Sequence, residues 1–134
     1  VGAGRDPAQI DVTSLLPMAV ADTLDAARDI MRPGVTFYAG FFPRYTRLIA
    51  ESGFAEEAAA ISKAWAQGDR AGAAWLVTDA MVDATGIVGT PEDCRARINE
   101  YREAGLDLPI ISPFARGPGA KELFEAAIRA CAPD

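Results

Sequence analysis

The fold class is decided by the stretch IVGTPEDCRARINEYREAGLDLPIISP, residues 87–113, in which two short apolar runs flank one helix. Thr90 is placed to cap that helix, because its hydroxyl can accept a backbone N–H of the open first turn, and Pro91 suits the first helical position. Gly105 supplies the left-handed residue that commonly ends a helix. Two strands joined by one short helix are expected to be parallel, with a right-handed crossover between them. The chain is therefore predicted to be an α/β protein.

Two segments carry a resemblance to a known family. One joins Gly-Thr-Pro-Glu-Asp-Cys at 89–94 to Arg-x-Arg-x-x-x-Tyr-Arg-x-Ala-Gly-Leu-Asp-Leu-Pro at 95–109, and the other is Ala-Gly-Arg-Asp-Pro-Ala-Gln-Ile-Asp-Val at 3–12. In this order, and separated by a helical stretch, they resemble the C-terminal part of luciferase-like oxidoreductases. These are flavin- and deazaflavin-dependent enzymes built on a TIM barrel. The similarity extends over nearly the whole chain but over only the last part of the family's usual length.

The resemblance implies a partial (β/α)8 TIM barrel, consisting of its last three strand–helix units. These units are residues 10–32, 87–105 and 108–134, and residues 33–86, whose signals are all helical, form an insertion. Three strands cannot close a barrel that needs eight, so they leave unpaired edges and an apolar barrel-facing surface. We therefore expect the chain to self-associate or to pair with a missing N-terminal half of the barrel. Its start at Val1, without a methionine, is expected of a cut segment.

Local signals predict where the first strand and helix begin and end. The apolar run from Ile10 is expected to end as a regular strand near Leu16, or to bulge there, because Pro17 has no N–H to donate. Asp22 is expected to cap the next helix, and Pro33-Gly34 to break or restart it. In the closing helix, four side chains are expected to face inward, namely Leu123, Phe124, Ala127 and Ile128.

Composition excludes several classes of function. Thirteen basic and nineteen acidic residues give a net charge of −6, which argues against a nucleic-acid surface. An anionic membrane is an equally poor partner, and no apolar run reaches the roughly 18 residues needed to cross a bilayer. Without histidine, the chain alone cannot form a Ser-His-Asp triad or a typical zinc site. Cys94 and Cys131 are expected to be reduced thiols of a cytoplasmic protein.

Candidate cofactor contacts follow from the resemblance, because a TIM barrel forms its active site at the carboxyl ends of the strands. That places Thr90, Ser112 and Arg116 where a cofactor would bind. Arg116, in a loop rich in glycine and proline, could pair bidentately with a cofactor phosphate, or it could be an exposed loop arginine. Thr90 could contact a phosphate, although Glu92 and Asp93 already bring negative charge to its helix and favour a capping role.

A second set of candidates would line the substrate pocket. Five aromatic residues fall within nine positions, from Phe37 to Tyr45, and could face a planar isoalloxazine ring or an apolar substrate. Core packing of an inserted helix is the competing interpretation. The predicted pocket residues are Met18, Phe37, Tyr38, Phe41 and Phe114. No carboxylate pair is assigned to a shared site by its spacing, so no general acid, base or nucleophile is predicted.

The resemblance implies an oxidoreductase or monooxygenase that uses FMN or a deazaflavin on a small-molecule substrate. The chain alone is expected to be inactive and to carry no cofactor. A free-standing helical binding module with a small parallel sheet is the alternative, with its aromatic segment as the partner surface. A complete, doubly wound nucleotide-binding domain is disfavoured, because the loop after the first strand lacks the required glycine pattern.

Overall fold

The computed structural model describes residues 4, 6, 9–115 and 117–132. Over those residues the chain forms three β-strands and seven α-helices, and none of the helices has the length and apolarity that a membrane crossing needs. In chain order they are β1 (Thr13–Val20), α1 (Leu24–Phe41), α2 (Pro43–Ile49), α3 (Ala55–Ala66), α4 (Arg70–Trp75), α5 (Asp79–Thr85), β2 (Ile87–Gly89), α6 (Pro91–Glu103), β3 (Leu108–Pro113) and α7 (Ala120–Cys131). A π-helical turn, Ala50–Phe54, joins α2 to α3. The predicted helix-rich α/β class is confirmed.

The strands form one parallel sheet in the order β2-β1-β3. One edge of β1 pairs with β3, from Thr13 opposite Leu108 to Met18 opposite Pro113. On the other edge only the last three residues of β1 pair with β2, beginning with Met18 opposite Ile87. Consecutive units of a barrel would place β2 between the other two strands. Instead, β1 is the central strand and β2 is a short addition beside its carboxyl end.

This strand order places helices on both faces of the sheet. The chain moves from β1 to β2 in one direction and then returns past β1 to reach β3, and right-handed crossovers in opposite directions lie on opposite faces. Leu16, Met18 and Val20 pack with α6 and α7 in a core that includes Cys94. Ala19 faces the other way, into the core formed with α1 and the helices of the insertion.

β1 continues through Pro17, so the predicted strand end or bulge near Leu16 is wrong. The Phe114 N–H donates to the Met18 carbonyl on the β3 side of the strand. Because successive residues of a strand turn their backbone groups to alternate edges, Pro17 turns its own toward β2. β2 begins to pair only at Met18. The N–H that proline lacks would therefore point at an unpaired edge, where a proline is tolerated.

Side-chain hydrogen bonds to the backbone three residues ahead set the starts of several helices. The Thr23 hydroxyl accepts such a bond at 3.2 Å, so Thr23 and not the predicted Asp22 caps α1. Asp69 caps α4 with a 2.7 Å bond. Thr78 caps α5 with a bond of 3.2 Å. Local capping residues therefore set the starts of α1, α4 and α5.

The predicted break at Pro33-Gly34 is wrong, because α1 runs through both residues to Phe41. Gly34 has a packing role instead. A Cβ at this position would lie 2.6 Å from the ring of Phe114, which follows β3. The glycine thus lets an aromatic side chain lie directly against the helix backbone.

Ion pairs fasten α1 to α5. Arg28 Nη2 lies 2.6 Å from Asp83 Oδ2, and its Nε donates to the other oxygen of the same carboxylate at 2.9 Å. Arg32 Nη2 lies 2.7 Å from Asp79 Oδ1. The first contact is a two-bond fork, a geometry that fixes orientation as well as attraction.

The two cysteines are free thiols, as predicted. Cys94 is fully buried, and desolvation by that burial raises the pKa of its thiol to about 11. Cys131 lies in the same core, with its Sγ 3.5 Å from Met18 Sδ. Burial raises the pKa of the Cys131 thiol as well. Neither residue is therefore poised as a thiolate nucleophile at neutral pH.

One face of the sheet is open to solvent near the amino ends of β1 and β3. Leu15 is 61% exposed, and its register partner Ile110 is 45% exposed. Leu108, two residues before Ile110 on the same strand face, is 55% exposed. An apolar sheet face of this kind is what the partial-barrel prediction requires.

On α7, Phe124 and Ile128 are also exposed, so the prediction that they face inward is wrong.

Candidate functional site

The carboxyl ends of β1 and β3 meet at one edge of the sheet, and α1 passes over this edge. A Cβ on Gly34 of α1 would lie 2.6 Å from the ring of Phe114, which directly follows β3, so the helix lies close to the sheet here. The connections that follow β1 and β3 lead to opposite faces of the sheet. In parallel α/β sheets, ligands bind beside strand ends where the connections diverge in this way.

α1 carries an aromatic face away from that edge. Gly34, which supports the Phe114 ring, shares one side of the helix with Tyr38 and Phe41, since residues four and seven positions apart align. Tyr38 is 40% exposed and Phe41 is 56% exposed. We call Phe114, Tyr38 and Phe41 the aromatic face. The predicted pocket residues Tyr38, Phe41 and Phe114 therefore lie along one surface that starts at the sheet edge.

Phe37 belongs to the packed side of the same cluster. Its ring stacks on that of Phe41 with centroids 5.4 Å apart and an interplanar angle of 7°, and it meets Trp65 edge-on at 5.9 Å. The Trp65 ring in turn lies against Gly40, where a Cβ would approach it to 2.6 Å. The packing interpretation therefore describes Phe37, whereas the pocket interpretation stays a prediction for the exposed residues Tyr38 and Phe41. Phe37 fastens α1 to α3, and its neighbours stay open.

The prediction that Met18 lines the substrate pocket is not supported by its position. Its side chain is fully buried on the face covered by α6 and α7, where it contacts Cys131. The reason is strand alternation, since Leu15 and Ala19 occupy the opposite face. Met18 packs the core behind the candidate site.

Thr90 forms a complete capping box with Asp93 at the start of α6. Its hydroxyl donates to Asp93 Oδ2 at 2.7 Å and accepts the Asp93 N–H at 3.3 Å, and the same carboxylate oxygen accepts the Thr90 N–H at 2.9 Å. These bonds hold the pKa of the Asp93 carboxyl below its usual range. The geometry accounts for Thr90 as a helix cap, and its role toward a cofactor stays a prediction.

The capping box makes part of the stability of the chain depend on pH. The lowered pKa means that Asp93 stabilises the fold above its unfolded pKa of about 3.9, and that this contribution is lost as pH falls through the folded value. We expect Asp93→Asn to lower the free energy of unfolding at pH 7 and to have little effect near pH 2. Urea titrations at both pH values measure the difference. An equal effect of the substitution at both pH values would contradict this account.

The last predicted cofactor contacts lie at and after β3. Ser112 stands opposite Pro17 in the strand register, which puts it on the open face of the sheet near its carboxyl edge. Arg116 lies outside the described residues. In the described ranges, no group of three His, Cys, Asp or Glu side chains is arranged to hold a metal ion.

Two further aromatic residues belong to the cluster but are not among the predicted pocket residues. Tyr45 extends the aromatic cluster, with its ring 4.8 Å from that of Tyr38, although it lies on α2 beyond the break at Phe42. Trp65 closes the packed side from α3. The spacing of Trp65 on the apolar side of α3 indicates that it is packed. Its partner Gly40 lies 25 positions earlier (65 − 40), and no local pattern links the two residues.

The chain is similar in sequence to proteins of a known family. A family model described as luciferase-like monooxygenase matches residues 2–108. The chain is 32% identical to a 5,10-methylenetetrahydromethanopterin reductase of Archaeoglobus fulgidus, over 92% of this chain and 38% of that protein. It is 36% identical to a reductase of the same name from Methanolobus tindarius, over 92% and 37% of the two chains.

A solved structure of a similarly named reductase has a similar fold. The coenzyme F420 dependent tetrahydromethanopterin reductase of Methanopyrus kandleri superposes with a TM-score of 0.75 and 26% identity, over 92% of this chain and 35% of that one. The chain thus spans less than two-fifths of the length of each of these relatives. Because the family match extends over well more than half of its residues, the chain belongs to the luciferase-like monooxygenase family.

Proposed function

We propose that the chain is the C-terminal portion of a deazaflavin-dependent oxidoreductase, in which it forms one wall of the cofactor and substrate pocket. The observation that carries this proposal is the exposed aromatic face of α1, which begins where Phe114 follows the carboxyl end of β3. The relatives support the reaction type, since two are named as reductases and the solved structure is named for coenzyme F420. They favour a deazaflavin over FMN and a reductase over a monooxygenase.

The described residues fit a planar ring system. Tyr38 and Phe41 offer exposed aromatic surface, and the ring of Phe114 is held against Gly34, where no Cβ intervenes. When bound, a deazaflavin carries a hydride between substrates. The residues of this chain bury the apolar ring and exclude water from one side of it. Ser112 adds a hydroxyl at the carboxyl edge, and Arg116 is the proposed partner of a cofactor phosphate.

The proposed partner is the rest of the barrel. The open apolar face at Leu15 and Ile110 needs covering, and the additional length of the relatives supplies the strands that would do so. The proposed substrate is a small molecule of the tetrahydromethanopterin class named in the relatives. We place the enzyme in the cytoplasm, where the free thiols of Cys94 and Cys131 would stay reduced.

Coenzyme F420 is expected to bind only when the missing barrel portion is present. The N-terminal part of the Methanolobus tindarius relative, fused ahead of Val1, supplies that portion, and quenching of F420 fluorescence measures binding. We expect the fusion to bind F420 and the 134-residue chain alone to bind none. Arg116→Ala in the fusion should weaken binding about tenfold or more, since a charge-assisted hydrogen bond contributes about 1.5–3 kcal/mol.

Arg97→Ala is the matched control, because Arg97 is paired with Glu100 on α6 and has no proposed cofactor role. Its dissociation constant for F420 should match that of the unchanged fusion. Equal affinities for Arg116→Ala and Arg97→Ala would reject the phosphate contact. Stoichiometric F420 on the 134-residue chain alone would reject the proposal that the pocket needs a second wall.

A further inference from the structure

A groove on the helix-covered side of the sheet gathers three arginines. It has a volume of about 560 Å³ and runs between α6, α7 and the start of β3. Arg95, Asn99 and Arg102 line one wall, because positions four and seven residues apart share a side of a helix. Arg129 of α7 lines the other wall, and Cys131 lies beside it. The groove faces away from the aromatic face and takes no part in the proposed pocket.

The groove is positively charged, whereas the chain as a whole is negatively charged. No carboxylate lies among the described residues that line it, although the chain as a whole has a net charge of −6. Within the described part of the chain, Arg102 has no ion-pair partner. Like charges that line one groove repel one another, and an anion bound between them would relieve that repulsion.

Among the described residues, Arg95 and Arg129 each have one polar contact, which leaves other N–H groups of their guanidinium groups available to a ligand. Arg95 Nη1 donates to the Ala130 carbonyl at the end of α7, at 3.1 Å, which uses one of its five N–H groups. Arg129 Nη2 lies 3.1 Å from Glu125 Oε2, four residues earlier on the same helix, and its side chain is largely exposed. Such a pair in water is weak and exchanges readily for a stronger anion.

We propose that this groove binds a phosphate-class oxyanion, either the free ion or the phosphate group of a small ester. Guanidinium groups bind such oxygens bidentately, and the Asn99 amide adds a neutral donor. A polyanion such as a nucleic acid is disfavoured, because the acidic remainder of the chain would repel it. Ile98, Pro109 and Ile111 add apolar surface to the lining of the groove.

Calorimetric titration of the chain with inorganic phosphate, in a low-salt buffer without phosphate, tests the proposal. We expect one site per chain, and binding at least about tenfold weaker in the double variant Arg102→Ala/Arg129→Ala, which loses two charge-assisted contacts. Arg44→Ala is the matched control, since Arg44 is an exposed arginine on α2, outside the groove. A parallel titration with glycerol 3-phosphate separates the two sources. Tighter binding of the ester assigns an ester group, tighter binding of phosphate assigns the free ion, and the proposal holds in both cases.

Alkylation of Cys131 gives a second readout that does not depend on a substitution. Cys94 is fully buried and Cys131 only partly buried, so labelling of the folded chain by iodoacetamide at alkaline pH, where more of the thiol is ionised, reports on Cys131. We expect phosphate to slow this labelling at least threefold at concentrations above its dissociation constant, and sodium chloride of equal ionic strength to leave it unchanged. No heat of binding with phosphate, or equal weakening in Arg44→Ala and the double variant, would overturn the proposal. Labelling that phosphate and sodium chloride slow equally would overturn it too.

Discussion

Replacing Ile61 with alanine is expected to lower the free energy of unfolding by about 2–5 kcal/mol, the range for removing a large aliphatic side chain from a packed core. Ile61 lies on α3 and is 0% exposed, in the core that joins the insertion helices to α1 and to Ala19 of β1. The loss has two parts, the transfer free energy of the deleted methyl and methylene groups and the cavity that they leave. Urea denaturation of the 134-residue chain, followed by circular dichroism, measures it.

Leu48→Ala is the matched control, because Leu48 is an aliphatic residue on α2 that lies mostly in solvent. Its substitution should change the free energy of unfolding by no more than about 0.5 kcal/mol. A cost for Ile61→Ala that is no larger than the cost for Leu48→Ala would show that the insertion is not a packed part of the fold. The aromatic face would then lack the rigid support that a pocket wall needs.

Features that depend on neighbours in sequence were predictable. The capping box at Thr90 and the caps at Asp69 and Thr78 rest on bonds that span three residues, so the residue types there are sufficient. The left-handed glycine at Gly105, with φ of +101°, is local in the same way. The parallel strand–helix–strand unit follows from these signals, and with it the α/β class.

Features that depend on distant contacts were not predictable. Pro17 is tolerated in β1 because β2, about 70 residues later, starts to pair one residue beyond it. Gly34 continues α1, contrary to the predicted break, because it faces Phe114, which lies 80 positions away (114 − 34). In both cases a residue type that commonly interrupts a strand or helix is tolerated because of a neighbour that is distant in the sequence.

The candidate site divides along the same line. The concentration of aromatic residues in α1 identified the region, but not which rings are packed and which are open. Trp65 decides this for Phe37 by contact from α3. The burial of Met18 behind the site has a different cause, since the two faces of β1 are assigned by the directions of the crossovers on either side of it. The strand order β2-β1-β3 carries that information, and no single segment of the sequence does.

The open face of the sheet leads to the last prediction, in which one added charge leaves the isolated chain folded but disrupts any assembly that covers this face. Leu15 is exposed, so Leu15→Lys should leave the fold of the chain intact. In any assembly that covers this face, the new charge must be buried or displaced, at a cost of about 3 kcal/mol or more. We therefore expect the unchanged chain to self-associate and Leu15→Lys to weaken that association more than about 100-fold.

Sedimentation velocity over a range of concentrations measures this effect, and Ile110→Lys, on the register partner, should reproduce it. Ala59→Lys is the matched control, because it adds the same charge at an exposed position on α3 away from the face. The same two face variants, placed in the fusion with the N-terminal barrel portion, should lose F420 binding, whereas Ala59→Lys should keep it. If the unchanged chain stayed monomeric on concentration and Leu15→Lys bound F420 normally in the fusion, the face would not be the inner surface of a barrel. Both assays test the same side chain, once in the isolated chain and once in the fusion. Together they distinguish a sheet that forms one wall of a larger barrel from a sheet that needs no further strands.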